Sequence, residues 1–239
     1  DHMYRVTAGY YEGESEPTLP VSESILYLLN GDFEDYTVHE NGWQRLADGW
    51  SSWPNPGDPL YNVELNGDGI YSSESGTFLG LNGTKGLKIW NACNDGSCEN
   101  YPTDYEHTVL QYHENLFIPG TKFTLSGNVW HHPDDALQDG AKFEIVAKYF
   151  GPGIGGTFEN PGEWWNDVVG IDRSPTFTNQ DAFETWTERV VECIVPAGTY
   201  RVELGLMLTN AETGGNGAVY VDDVNIEIVS IPVIYQPQT

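Results

Sequence analysis

Apolar and polar residues alternate with a period of two through the middle and the end of the chain. Phe123, Leu125 and Val129 stand against Thr124, Ser126 and Asn128, and from position 200 onward Tyr200, Val202, Leu204, Leu206 and Leu208 stand against Arg201, Glu203, Met207 and Thr209. Successive side chains of a strand point to opposite faces, so this pattern predicts half-buried antiparallel strands. Shorter runs of the same character occur at 25–29, 86–90, 108–112, 141–150, 187–195 and 218–229. Pro119-Gly120 and the Pro-Ala-Gly-Thr stretch at 196–199 are turn signals between strands. No segment carries a convincing amphipathic-helix period. The expected architecture is all-β, a two-sheet antiparallel β-sandwich of the jelly-roll kind.

Two long irregular insertions, 48–85 and 151–183, interrupt this pattern. Segments of that length are commonly functional. The first carries Trp50, Trp53 and Tyr61 and the second Phe158, Trp164 and Trp165. Residues 1–23, rich in Glu, Ser, Pro and Gly, read as a tag remnant (Asp1-His2-Met3) followed by a linker or N-terminal arm. The folded domain is expected over 24–230, with 231–239 as a C-terminal tail. There is no internal repeat of the kind that builds propellers or solenoids, and 239 residues suit one large β domain.

Charge narrows the partners. With 36 acidic residues against 10 basic ones the formal net charge is −26, which repels nucleic-acid phosphates and anionic membrane surfaces. Nucleic acid is excluded as a partner, and without an apolar run of about 18 residues no membrane insertion is expected. Strongly anionic polysaccharides are disfavoured unless cations bridge or the site is locally basic. An apolar content of 39 % with 13 % aromatic residues is enough to build a core. Cys93 and Cys98 enclose Asn-Asp-Gly-Ser and are read as a local disulfide, which implies an oxidising compartment, a secreted or bacterial extracellular location. Cys193 is read as a buried core thiol.

Two acidic segments bracket the domain: Asn30-Gly31-Asp32-Phe33-Glu34 near its start and Val219-Tyr220-Val221-Asp222-Asp223-Val224 near its end. If first and last strands lie together, their oxygens suit a hard cation. The alternative is two solvated strand ends.

The order of motifs resembles the jelly-roll carbohydrate-binding modules grouped as families 4, 9 and 22. Leu29-Asn30-Gly31-Asp32-Phe33-Glu34 with Gly42-Trp43 and Gly49-Trp50 is similar to their first strand and Gly-Trp turn. Gly86-Leu87-Lys88-Ile89, Leu110-Gln111, the run 117–127 with its Pro-Gly turn, Thr185-Trp186-Thr187, Val195-Pro196-Ala197-Gly198-Thr199 and the closing 219–224 follow in order. The long insertions and the Cys93 to Cys98 loop depart from the pattern. The resemblance implies a structural Ca²⁺ near the paired termini, with Glu34 and Asp223 as the leading side-chain ligands and Asp32 and Asp222 next. It also implies a non-catalytic module that binds a polysaccharide or oligosaccharide. The linker-like N-terminus points to covalent linkage with a catalytic domain of a secreted enzyme, and a monomer is expected.

Sugar rings stack their C–H faces on aromatic planes and need directed donors and acceptors for their hydroxyls. Trp90 and Trp130 end predicted strands and are the expected stacking residues. Gln111, His113, Lys148, Arg201, Glu203 and Thr209 are expected to share the polar face of a concave sheet. Trp50, Trp53, Trp164 and Trp165 are either groove walls or anchors that hold the insertions down. Trp43 and Trp186 read as core. His131-His132 lacks a third metal ligand and reads as a solvated loop pair.

No catalytic residue is assigned. A β-sandwich glycoside hydrolase would need a carboxylate pair, for which only scattered groups such as Glu144 and Glu203 are at hand. A polysaccharide lyase would need an assembly such as Tyr112, His113 and Arg201. An adhesion or structural domain is the third alternative.

Overall fold

The computed structural model describes residues 9–10, 13–14, 26–53, 60–69, 76–81, 85–90, 106–114, 117–138, 140–157, 160–209 and 217–232. The Cys93 and Cys98 pair, most of 1–23 and all but two residues of 231–239 lie outside the described residues.

Fourteen strands follow one another among the described residues. They are β1 (Gly9–Tyr10), β2 (Gly13–Glu14), β3 (Tyr36–Val38), β4 (Arg45–Ala47), β5 (Ser51–Trp53), β6 (Tyr61–Leu65), β7 (Lys85–Trp90), β8 (Glu106–Glu114), β9 (Lys122–Trp130), β10 (Lys142–Phe150), β11 (Val168–Arg173), β12 (Thr187–Ile194), β13 (Arg201–Thr209) and β14 (Ala218–Ser230). Two short 3₁₀ turns, Pro133–Asp135 and Trp164–Asn166, are the only helical turns among the described residues.

Two five-stranded sheets carry the fold, in the orders β11-β10-β13-β8-β5 and β12-β9-β14-β7-β6. Every pairing is antiparallel. Late strands β13 and β14 each insert between earlier ones, so the sheets close only once the end of the chain arrives. The β-sandwich expected from the alternation is the observed fold. The two insertions also supply sheet edges: the first contributes β5 and β6, and the second contributes β11.

The core fills the space between the sheets. Phe143, Ile145, Ala147 and Tyr149 of β10 and Val202, Leu204, Leu206 and Leu208 of β13 face Phe123, Leu125 and Val129 of β9 and Leu87 and Ile89 of β7. Each such side chain contributes about 2 kcal/mol of burial. Cys193 is buried within this layer, as the sequence suggested.

The two ends of the domain lie side by side. Val224 N donates to Gly31 O at 2.8 Å. A methyl group on Gly31 would stand 1.9 Å from Val224 O, so only glycine admits this approach. Opposite it, β14 bulges between Asp222 and Asn225, with Asp223 in the left-handed region at φ 49°. Trp50 locks the opening segment from the other side: its Nε1 donates to Asn30 O at 3.0 Å and its ring packs against Phe33.

Candidate functional site

The pairing registers fix which residues share the outer face of the β11-β10-β13-β8-β5 sheet. Across β10, β13 and β8, Phe150 stands beside Arg201 and Glu114, Lys148 beside Glu203 and Tyr112, and Glu144 beside Met207 and Thr108. The edge strands extend the same face with Ile171 and Arg173 of β11 and with Ser51 and Trp53 of β5. Phe143, Ile145 and the other apolar partners of these strands point the opposite way, into the core.

Arg201 is the centre of this face. Its guanidinium carbon lies 3.7 Å from the Tyr112 ring centroid and 3.6 Å from that of Trp164, so a planar cation is held between two aromatic rings. Nη1 donates to Glu114 Oε1 at 2.9 Å and Nη2 lies 3.3 Å from Glu203 Oε1. Trp164 reaches this position because the second insertion makes its 3₁₀ turn there, and the indole packs edge-on against Phe150 and Trp165. Tyr112, Trp165 and Trp53 are at least half exposed.

The charges on the face are paired. Arg173 Nη1 donates to Glu144 Oε2 at 2.7 Å, and Lys148 Nζ donates to Glu106 Oε2 at 3.3 Å. Lys142 lies 3.9 Å from Glu144. Four of the ten basic residues of the chain, Lys142, Lys148, Arg173 and Arg201, therefore meet four glutamates on one face of a molecule whose net charge is −26. The four positive and four negative charges of these pairs cancel. Burial raises Glu203 above the usual carboxylate range, while the Arg201 and Lys148 charges pull it back down.

Several expected site residues lie elsewhere. Gln111 and His113 belong to the inner face, because β8 pairs them with Leu204 and Val202. Gln111 is buried, with Nε2 donating to Leu29 O and Oε1 accepting from Leu29 N, and so it pins the opening segment. His113 packs edge-on against Tyr27. Trp50 is buried in the core, an anchor and not a wall. Trp90 and Trp130 project from the outer face of the other sheet. Trp130 is only 6 % exposed, enclosed by Phe78 from the first insertion, Tyr220 and Trp186. Trp43, expected in the core, is 60 % exposed, and His131 and His132, expected in solvent, are buried. His131 stacks on Phe183 and meets Phe177 edge-on, because the second insertion folds over it.

Tyr112, Arg173 and Phe150 join the site although sequence reasoning did not select them for sugar contact. For Tyr112 no face could be read from β8, whose residues 107–111 are all buried, and only the pairing with Glu203 places it. For Arg173 no signal existed, because β11 has no alternation and its place is set by pairing with β10.

At the seam of the domain, Glu34 Oε2 accepts from Lys85 Nζ at 2.8 Å and Glu34 Oε1 accepts from Lys85 N. Asp222 Oδ2 accepts from Leu81 N at 3.0 Å and Oδ1 accepts from Asp223 N at 2.8 Å. Burial pushes Asp222 up to about 7, and the charges of Asp223 and Glu34 add to the rise. Asp32 is exposed and caps the Glu34 amide. No three metal-ligating side chains are grouped among the described residues. The oxygens are of the hard type that calcium takes, but a cation there must displace the Lys85 ammonium from Glu34.

No protein-family model and no curated protein matches the chain. Several solved structures are similar to it. A cyclase from Fischerella sp. TAU, in complex with 4-(1H-indol-3-yl)butan-2-one, is similar at 13% identity over 87% of this chain and 100% of its own, with a TM-score of 0.52. The CBM22-1-GH10 modules of a Clostridium thermocellum endo-1,4-β-D-xylanase, complexed with xylohexaose, are similar at 13% identity over 80% of this chain, with a TM-score of 0.45. The chain spans only 28% of that xylanase. A family 61 carbohydrate-binding module in complex with β-1,4-galactotriose is similar at 11% identity over 86% of this chain and 99% of its own, with a TM-score of 0.42. The likeness to the cyclase, at a TM-score above 0.5, shows a shared fold and nothing of function.

Proposed function

We propose that this chain is a non-catalytic carbohydrate-binding module that takes a polysaccharide, neutral rather than anionic, on the outer face of the β11-β10-β13-β8-β5 sheet and targets an attached secreted enzyme. The observation that carries the reading is the Tyr112, Arg201 and Trp164 stack, with exposed Trp165 beside it and exposed Trp53 farther along the same face, where four basic and four acidic side chains pair. Aromatic planes supply the stacking surface, and ion-paired Arg, Lys and Glu side chains are held in place as donors and acceptors for hydroxyls. A neutral glycan leaves those pairs intact. An anionic one has to compete with four glutamates for the same cations.

The chemistry of cleavage is less well served. Glu144 and Glu203 are each committed to an arginine, and His113 points away from Tyr112 and Arg201. The reading is tested by affinity electrophoresis on soluble xylan, β-glucan and galactan, with reducing ends and unsaturated products assayed in parallel. Retardation without product is expected, and Tyr112→Ala together with Trp165→Ala should lower affinity by roughly tenfold or more. Release of product would establish the enzyme in its place.

A structural Ca²⁺ at the seam is the second part of the proposal. It is supported by three acidic groups, Glu34, Asp222 and Asp223, within electrostatic reach of one another. A cation would relieve their repulsion and join the two ends of the domain, which is a stabilising role and not a chemical one.

A further inference from the structure

Trp43 and Trp90 form an aromatic pair that the site above does not use. Their ring centroids are 6.4 Å apart and their planes are 32° from parallel. Trp90 ends β7, whose Leu87 and Ile89 point into the core, so Trp90 projects outward with Lys88 from the β12-β9-β14-β7-β6 sheet. This is the opposite side of the sandwich from Arg201.

Trp43 sits at the tip of the β3-β4 hairpin and is held there firmly. Asn41 Oδ1 accepts from Trp43 N and Gln44 N. The hairpin is tied to β6 by Gln44 Nε2 donating to Tyr61 O and Arg45 N donating to Asn62 Oδ1, and to the following turn by Arg45 Nη1 donating to Asp68 Oδ2 at 2.7 Å. Trp90 N donates to Leu60 O, which fixes the second ring to the same strand. A large indole left 60 % exposed on a rigid support gains little from burial. Its surroundings are polar. Asn62 stands directly across from Lys88 in the row beside Trp90, and Asn62 Nδ2 donates to Glu64 Oε1 at 2.9 Å.

We infer that Trp43 and Trp90 form a second saccharide platform, which makes the chain bivalent for polysaccharide. The inference rests on the carbohydrate-binding reading above and extends it to the opposite face. Two indoles 6.4 Å apart and 32° from parallel offer neighbouring stacking surfaces to consecutive sugar rings, and because the Asn62 amide and the Lys88 ammonium are already paired, with Arg45, Glu64 and Asp135, stacking carries the contact. A protein partner fits less well, since one exposed and one half-buried indole beside a polar row are far short of the area a stable interface buries. Two platforms facing away from each other cannot both hold the same short stretch of glycan. They bridge separate chains or distant stretches of one chain, which raises apparent affinity for polymer roughly a hundredfold over that for a short oligosaccharide.

The test uses the full chain in gels containing xylan, β-glucan or galactan, comparing the unmodified protein, Tyr112→Ala with Trp165→Ala, Trp43→Ala, Trp90→Ala, and all combined. Trp43 is exposed, so Trp43→Ala should leave the melting temperature unchanged and isolates binding from folding. The expected result is residual retardation of the Tyr112→Ala, Trp165→Ala protein that disappears when Trp43→Ala is added, and loss by Trp43→Ala of light scattering from polysaccharide cross-linked by the unmodified chain. Unchanged retardation and scattering in Trp43→Ala would overturn the second platform while leaving the first intact. Loss with Trp43→Ala but none with Tyr112→Ala and Trp165→Ala would remove the first platform and keep the second. Absence of retardation of the unmodified chain in all three gels overturns both, and self-association lost with Trp43→Ala, seen by sedimentation without glycan, would reassign the pair to a contact between copies.

Discussion

Replacing Gly31 by alanine tests the closure of the domain at its weakest tolerance. The added Cβ would lie 1.9 Å from Val224 O and 2.8 Å from Leu28 Cδ2, where contacts under 3.0 Å are not sustained. The opening segment must therefore retreat from β14 by more than about 1 Å, because the nearest obstacle is backbone and has no rotamer to change. That retreat stretches the 2.8 Å bond from Val224 N to Gly31 O past useful length. The lost bond costs about 1 kcal/mol, and the forced displacement adds about 1–3 kcal/mol. A total near 3 kcal/mol lowers the melting temperature of a domain of this size by about 6–12 °C. Differential scanning calorimetry of Gly31→Ala reads this directly, and hydrogen exchange at the Val224 amide should speed up in the same variant. A melting temperature within 2 °C of the parent, with Val224 still protected, would refute the claim that the two ends are packed so closely.

Trp130→Ala removes the centre of the Phe78, Tyr220 and Trp186 cluster and should cost about 3–5 kcal/mol of stability by urea denaturation; the affinity of the protein that remains folded should be unchanged. His107 is buried with neither ring nitrogen hydrogen-bonded among the described residues, and burial pushes its pKa down to about 4. The unfolded chain then binds a proton that the native state refuses, so stability is whole above pH 6.5 and falls as pH drops toward 4, by at most about 3 kcal/mol. His107→Leu should flatten that part of the stability profile, and an unflattened profile would place the titration elsewhere. Removal of divalent cations with a chelator should lower the melting temperature, and restoring Ca²⁺ should recover it. An unchanged melting curve after verified metal removal would count against the seam site.

The long strands were legible because one face of each is apolar and the other is not. In β9, Phe123, Leu125 and Val129 meet the core while Thr124, Ser126 and Asn128 do not, and the period alone reveals this. In β8 the signal fails. His107, Thr108, Val109, Leu110 and Gln111 are all buried, so alternation is absent and the expected outer-face position of Gln111 and His113 does not match the structure. Only the register with β13 settles them. The short strands β5, β6 and β11 read as loop because each is a sheet edge of only three to six residues set in a long irregular stretch, too short for a period of two to stand out.

Taken by itself, the sequence determined an all-β sandwich and a strongly anionic chain, since these follow from local period and summed charge; that the two acidic segments meet is decided by the structure, where Val224 N donates to Gly31 O. Only the tertiary structure decided which aromatic side chains are surface and which are core. Trp130 lies on an outward parity yet is enclosed by Phe78, while Trp43 follows a turn and stays exposed. Likewise Arg201, Tyr112 and Trp164 come from three separate segments and meet only when β13 enters between β10 and β8. Burial depends on what a remote segment lays over a residue, and no local pattern carries that information.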